Sequence, residues 1–281
     1  MAEPTLDDKL DRIKDILRSL ERVAVAFSAG VDSTFVLKVA VDTLGPENVL
    51  AVTGRSDSLP PDEFEAASQL ADRFGARHVV IDTDEFDDPN YTSNPTNRCY
   101  YCKSNLYEHM GPVMRQHAMA HIVSGANADD AHDWRPGLQA AREHNVRAPA
   151  AEAGLTKQDI RDLSARLNLP THDKPAMPCL SSRVPYGEEV TPEKLRMIGQ
   201  GEAYLRKELG IADCRVRHHG SVARIEVPAD QIERLARPDV RAALDHHFQS
   251  IGYRYVALDL RGFRSGALNE VIQARLAPPQ T

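Results

Sequence analysis

Residues Val23-Ala24-Val25-Ala26-Phe27 form a short apolar run that breaks at once into Ser28-Ala29-Gly30-Val31-Asp32-Ser33 and then into Thr34-Phe35-Val36-Leu37-Lys38-Val39-Ala40. A run of this length and composition suits a strand buried on both faces. The residues that follow read as a helix, with Gly45 as its stop. Strand, loop of small residues and helix in that order confine the chain to a βα unit of a parallel sheet. The loop also has a chemical consequence. Pyrophosphate oxygens need several donors at close range, and a strand-to-helix junction offers backbone N–H groups at the positive end of a helix dipole. Ser28, Ser33 and Thr34 add hydroxyls, Ala29 and Gly30 let the backbone approach, and Asp32 is a carboxylate able to hold Mg2+ beside phosphate.

The same alternation continues. Leu6, Leu10, Ile13, Leu17 and Leu20 recur at helical spacing ahead of the first strand. Val49 to Thr53 and His78 to Asp82 read as further strands, separated by a helix opened by Pro60-Pro61. A helix is expected over Leu106 to Gln116, then a strand over Ile122 to Gly125. The spacing predicts another helix from Thr156, its cap, with Ile160, Leu163 and Leu167 inward. The expected fold is α/β, a parallel sheet with helices on both faces. Ligands lie at the carboxyl edge of such a sheet. This makes Thr53, Arg55 and Ser56, after the second strand, and Gly125, after the fourth, candidates for nucleotide contacts.

Lys174 to Gly187 holds three prolines and no periodicity, and the domain boundary is set there, giving 1–178 and 179–281. Thr191-Pro192 then caps a helix, followed by strands over Cys214 to His218 and Val222 to Val227, two short helices and a strand over Tyr253 to Leu260. The second domain is expected to be a small α+β unit. The net charge of -7 and the absence of a Lys/Arg block disfavour nucleic acid as a partner. No apolar run approaches the roughly 18 residues a membrane span needs. The acidic start, Met1-Ala2-Glu3, lacks the pattern of a signal peptide, and a cytoplasmic location is expected.

Four cysteines are present. Cys99 and Cys102 stand as Cys-x-x-Cys between Arg98 and Lys103, a spacing at which two thiols share a metal or cluster edge. Cys179 follows in Lys174-Pro175-Ala176-Met177-Pro178-Cys179-Leu180-Ser181-Ser182-Arg183. Cys214 opens an expected strand and reads as a buried inert thiol; Arg215 and Arg217 alternate along that strand, a pattern that the solvated face of an edge strand also gives. For the first three, a [4Fe-4S] cluster with one open iron, a zinc site and a redox disulfide are all open from spacing alone.

Ser28 to Ser33 resembles the Ser-Gly-Gly-x-Asp-Ser loop of the PP-loop ATP pyrophosphatases, with Ala29 where that pattern has glycine. That resemblance implies an adenine-nucleotide alpha-hydrolase-like sheet, cleavage of ATP to AMP and pyrophosphate, and catalytic roles for Ser28 and Asp32. The order of Thr53-Gly54-Arg55-Ser56, Asn97 to Lys103, Arg135-Pro136-Gly137, Glu152 to Lys157, Lys174 to Arg183, Arg215 to Gly220, Ala223 to Val227 and Gly262-Phe263-Arg264-Ser265-Gly266 is similar to the LarE family over nearly the whole chain.

The LarE resemblance implies an ATP-dependent sulfurtransferase. It would adenylate a carboxylate of pyridinium-3,5-biscarboxylic acid mononucleotide and convert it to a thiocarboxylate for the nickel-pincer nucleotide of lactate racemase. Cys99, Cys102 and Cys179 match the branch that passes a sulfide bound to a [4Fe-4S] cluster, which implies a sulfide donor. The alternative branch sacrifices the sulfur of Cys179. The substrate is a small anion, and Arg183, Arg215 and Arg217 are the candidates to bind it, with Glu226 to orient an arginine or hold a metal. A homo-oligomer, a hexamer, is implied as well. A tRNA thiolation enzyme is the rival that shares the loop and the thiols.

Overall fold

The computed structural model describes residues 4–132, 136–175 and 177–264. Met1, Ala2, Glu3, Arg135, Ala176, Ser265 and Gly266 lie outside the described residues. The chain divides into two compact units, Met1–Tyr91 with Thr96–Met177, and Thr92–Pro95 with Pro178–Thr281.

In the first unit, Thr5 and Asp8 close a capping box at the start of α1 (Leu6–Leu20), which buries Ile13, Leu17 and Leu20. Then follow β1 (Val23–Ala26), α2 (Val31–Leu44), β2 (Val49–Arg55), α3 (Pro61–Arg73), β3 (Arg77–Asp82), α4 (Pro89–Thr92), α5 (Arg98–Gln116), β4 (His121–Val123), α6 (Pro136–Glu143), α7 (Pro149–Glu152) and α8 (Lys157–Arg166). Gly45 ends α2 at a φ of 82°, which a side chain would resist. The strands pair in parallel in the order β3-β2-β1-β4.

Alternation along the strands splits the core in two. Val23, Val25, Val49 and Ala51 join Ile13, Leu17, Phe35, Ile160 and Leu163 on one face. Ala24, Leu50, Val52 and Ile122 join Tyr107, Met110 and Ala140 on the other. Both faces of the sheet are therefore covered, as the continuous apolar strands require. Full burial of each such Val, Leu or Phe contributes on the order of 1.5–3 kcal/mol.

Three helices among the described residues were not expected, α4, α6 and α7, and α5 begins at Arg98 rather than Leu106. Tyr100 packs on the same core cluster as Tyr107 and Met110, so the buried stripe starts earlier than the apolar residues alone indicate. The Cys-x-x-Cys thus occupies the first turn of a long helix.

In the second unit come α9 (Pro192–Lys207), β5 (Arg215–His219), β6 (Val222–Glu226), α10 (Ala229–Ala236), α11 (Pro238–Ser250) and β7 (Tyr255–Leu258). Thr191 caps α9 by accepting from the Lys194 N–H. β6 runs antiparallel to β5 and parallel to β7, in the order β5-β6-β7. Residues 92–95 belong with this unit because Asn94 is buried there. Its Nδ2 donates to the Pro185 carbonyl at 2.7 Å, and its own carbonyl accepts from the Gly187 N–H at 2.9 Å. Among the described residues no helix is long and apolar enough to cross a membrane.

Candidate functional site

In the order β3-β2-β1-β4 the chain leaves β1 toward one side and later returns to its other side at β4. Ligands of open α/β sheets enter at such a switch point, beyond the carboxyl ends of the strands. Two loops meet there. The Ser28–Gly30 turn follows β1, and Gly125 follows β4. A Cβ at Gly125 would lie 2.6 Å from the Ser33 backbone N, so only glycine fits against the start of α2.

The loop itself is under strain. Ala29 takes a φ of 54°, the left-handed region, and is fully buried. An alanine held there costs about 1 kcal/mol relative to glycine. Gly30 is the N-cap of α2 and makes no side-chain capping bond, so the first helical N–H groups of Val31, Asp32 and Ser33 find no capping side chain. Ser33 Oγ lies 3.3 Å from the Ser28 N–H that donates to it and 3.2 Å from Ser28 Oγ, which ties the turn together. From below, the Thr53 hydroxyl donates to the Phe27 carbonyl at 2.9 Å, and His78 Nε2 lies 2.9 Å from that hydroxyl. Burial holds the His78 imidazole below its ordinary pKa. Thr53 is thus a support beneath the loop.

Two lysines approach this turn. Lys157, the first residue of α8, places Nζ 2.5 Å from Asp32 Oδ2, while its backbone N–H donates to Asp129 Oδ2 at 2.8 Å. The other carboxylate oxygen, Asp32 Oδ1, is buried without a hydrogen-bond partner, as is Thr34 Oγ1. Orphaned buried acceptors are rare and mark a place where an ion or ligand completes the set. Lys174 Nζ donates to the Ala29 carbonyl at 3.1 Å and pairs with Glu63 at 2.7 Å. Both lysines stand in segments quoted above, yet the sequence reading assigned neither a role. Their signal was a single cation in each segment, and only the fold brings them to the loop.

Arg55 ends β2 and Ser56 follows it. Arg55 makes a two-point pair with Asp82 on the neighbouring strand, at 2.6 and 2.9 Å, and both side chains are mostly exposed. Ser56 Oγ is 2.7 Å from Ser58 Oγ.

Cys99 is exposed and Cys102 half-buried, three residues apart on the first turn of α5 and so on one face of it. Among the described residues, no group of three or more His, Cys, Asp or Glu side chains is arranged to hold a metal ion.

In the second unit, Cys179 is half-buried and heads the 3-10 turn Leu180–Arg183. Its carbonyl accepts from Ser182 Oγ at 2.8 Å and Arg183 Nη1 at 3.1 Å. Arg183 is fully buried, with Nε and Nη2 on the two oxygens of Glu202 at 2.7 and 3.0 Å and no side-chain exposure for either residue. The guanidinium expected to meet an anionic substrate is therefore engaged by Glu202, and it shapes the turn after Cys179. Burial drives the Glu202 carboxyl up, but Arg183, Arg215 and the Val216 N–H outweigh it and hold it below the usual carboxylate range.

Arg217 pairs in the same two-point manner with Glu226, at 3.0 and 2.9 Å, and donates to the Ser182 carbonyl at 2.9 Å. Glu226 thus orients an arginine. The Arg215 guanidinium lies 4.9 Å from the centre of the Phe263 ring. Burial, with Arg183 nearby, holds Arg215 below its ordinary value. Arg215 and Arg217 are both buried, which excludes a solvated edge face as the reason for their alternation. Cys214 is fully buried and its thiol is pushed up to about 12 by burial, as an inert thiol would be.

Residues 7–106 match the NAD synthase family. The chain is 46% identical, over 95% of its length and 99% of the relative's, to an uncharacterized protein of Synechocystis sp. (strain ATCC 27184 / PCC 6803 / Kazusa). It is 38% identical to the pyridinium-3,5-bisthiocarboxylic acid mononucleotide synthase of Lactiplantibacillus plantarum, over 97% of this chain and 98% of that one. An uncharacterized protein of Methanocaldococcus jannaschii is 26% identical over 92% of this chain and 98% of its own.

Proposed function

From the premise that this chain belongs to the LarE family, that of the pyridinium-3,5-bisthiocarboxylic acid mononucleotide synthase, we propose that it is an ATP-dependent sulfurtransferase. Its substrate in this reading is pyridinium-3,5-biscarboxylic acid mononucleotide. A substrate carboxylate oxygen attacks the α-phosphorus of ATP, the bond to the β-phosphate breaks, and pyrophosphate leaves. A sulfur nucleophile then adds to the activated carbonyl carbon and AMP departs, leaving a thiocarboxylate. The observation that carries this is the strained, uncapped turn at Ser28–Ser33 standing at the switch point of the sheet.

Within that turn the N–H groups at the start of α2, with Ser28, Ser33 and Thr34, are the proposed pyrophosphate contacts. Asp32 fits Mg2+, because Oδ1 is buried and unpartnered. When bound, Mg2+ offsets charge on the departing phosphates. Lys157 can then exchange its hold on Asp32 for a phosphate oxygen. Gly125 keeps the two loops in contact, and Thr53 braces Phe27 from beneath. Arg55 and Ser56 stay proposed nucleotide contacts at the same edge.

For the sulfur, Cys99, Cys102 and Cys179 are the proposed ligands of a [4Fe-4S] cluster fed by a sulfide donor, supported by two thiols on one helical turn. No set of three ligands is gathered among the described residues, so no step is derived through a cluster. The second reading is favoured by the half-buried position of Cys179 in an ordered turn: its thiolate forms the thioester, and loss of the α-proton breaks its Cβ–S bond to leave dehydroalanine. The substrate's anionic groups are assigned to Arg215 and Arg217, with Arg183 supporting the turn. A homo-oligomer and a cytoplasmic location complete the proposal, on the family resemblance and the thiol pair. The acidic balance opposes tRNA as the acceptor.

The test is anaerobic purification with iron and sulfide analysis, then product counting. Pyrophosphate release that depends on the pyridinium dicarboxylate is expected, and its absence defeats the proposal. More than one thiocarboxylate per chain eliminates sacrifice of Cys179. Lack of iron, with a loss of mass at Cys179 after one turnover, eliminates the cluster.

A further inference from the structure

We propose that Lys174 is a positioning residue for the phosphate-binding turn, acting through the Ala29 carbonyl. It holds the left-handed Ala29 peptide in the conformation that aims the Val31, Asp32 and Ser33 N–H groups at a ligand. This rests on the nucleotide-binding reading of that turn and gives the turn its keeper.

Four observations converge. Ala29 has a φ of 54° and no exposed surface, so its conformation is imposed by its surroundings. Its carbonyl accepts from Lys174 Nζ at 3.1 Å. The same ammonium pairs at 2.7 Å with Glu63, in the first turn of α3, and both side chains are largely buried, at 20% and 12% exposure. The base of Lys174 is itself pinned. Its N–H donates to the Thr171 carbonyl at 3.0 Å, and its carbonyl accepts from Arg161 Nη2 at 3.0 Å. The turn after β1, the start of α3 and the segment after α8 therefore meet at one nitrogen.

Lys174 and Lys157 divide the work. Lys157 pairs with an aspartate whose second oxygen awaits a ligand, and it is free to change partner. Lys174 already has a counter-ion and a carbonyl, and its charge is neutralised where it stands. Its effect on a nucleotide is geometric. Without it, Ala29 falls back to a negative φ, the preference of any residue with a Cβ, and the first N–H groups of α2 turn away.

A glycine at position 29 accepts a positive φ without help. This makes the proposal testable by a double-mutant cycle on the full chain, with the dissociation constant for Mg2+·ATP measured at equilibrium and no second substrate present. Lys174→Met is expected to weaken ATP about tenfold with alanine at 29, and about threefold or less once Ala29→Gly is present. Glu63→Gln weakens ATP in the same background-dependent way, and Lys174→Arg restores most of the affinity. Equal losses in both backgrounds overturn the proposal, since they mean that Lys174 acts on the nucleotide by charge. No loss in either background overturns it too. Should Lys174→Met fail to fold by circular dichroism, Lys174→Gln and Glu63→Gln carry the same comparison. Failure of the unchanged chain to bind ATP defeats the nucleotide reading itself, a result distinct from equal losses in a chain that binds.

Discussion

The turn after β1 and the arginine network around β5 treat polar groups in opposite ways. In the first unit, Asp32 Oδ1 and Thr34 Oγ1 are buried without partners and Ala29 is held in an unfavourable conformation. In the second, Arg183 and Arg217 each make two-point pairs with a buried carboxylate. One region is left incomplete and strained, which lowers stability and is useful only if a ligand completes it. The other is satisfied internally and holds its shape without help. Charge alone does not separate a turn that needs its ligand from a region shaped before any ligand arrives; the state of its partners does.

Substitutions can test that contrast. Glu202→Ala leaves Arg183 as a buried unpaired charge and should cost about 3–5 kcal/mol in denaturant unfolding, while the ATP affinity of the first unit stays unchanged. A matching loss of ATP affinity would erase the distinction between the regions. Asp32→Asn should do the reverse, lowering pyrophosphate release about 10²–10³-fold with little change in melting temperature.

Acid should attack the two regions unequally. The Glu202 carboxyl is held below its ordinary value in the fold. Its contribution is complete above the unfolded value of about 4.3 and is lost as the pH falls through the lowered folded value. Urea titrations between pH 6 and pH 3 should show stability declining, and Glu202→Gln should flatten that decline. Ala29→Gly removes strain and should add about 1 kcal/mol to the first unit, raising its melting temperature by about 2–4 °C. The smallest effect is expected at Cys214→Ala, where the thiocarboxylate yield stays at the unsubstituted level. A loss of yield would bring Cys214 into the sulfur chemistry and undo the view of it as scaffold.

Much of the first unit was legible because buried parallel strands read as plain apolar runs. Val23 to Phe27 and Val49 to Thr53 needed no tertiary information, the half-buried edge strand His78 to Asp82 showed through Val79-Val80-Ile81, and Thr156 announced α8 by its capping chemistry. The start of α5 was hidden, because Arg98 to Ser104 is too polar for periodicity to detect; its phase is set by one aromatic, Tyr100. The roles of Lys157 and Lys174 were hidden for another reason. Each acts on a residue more than a hundred positions away, and no local pattern encodes such a contact. The alternation of Arg215 and Arg217 was visible, but a solvated edge and a buried ion-pair network share that pattern. Only Glu202 and Glu226, placed by α9 and β6, distinguish them. The turn motif was read with Ala29 as its departure, and the departure became informative once φ was known.

The pairing of β1 with β4 sets Val23 beside His121, far along the chain. During synthesis at about 5–20 residues per second, Ser28 to Ser33 leave the ribosome on the order of ten seconds before Lys157 and Lys174 exist. Until β4 is made β1 lacks one sheet neighbour, and until Lys174 is made the Ala29 carbonyl lacks its donor. The nascent chain thus carries the full phosphate-binding motif before the side chain proposed to hold its conformation exists. The apolar edge of β1 is at that stage a target for chaperones and for aggregation alike. Nucleotide therefore stabilises the first half less until synthesis has passed residue 174.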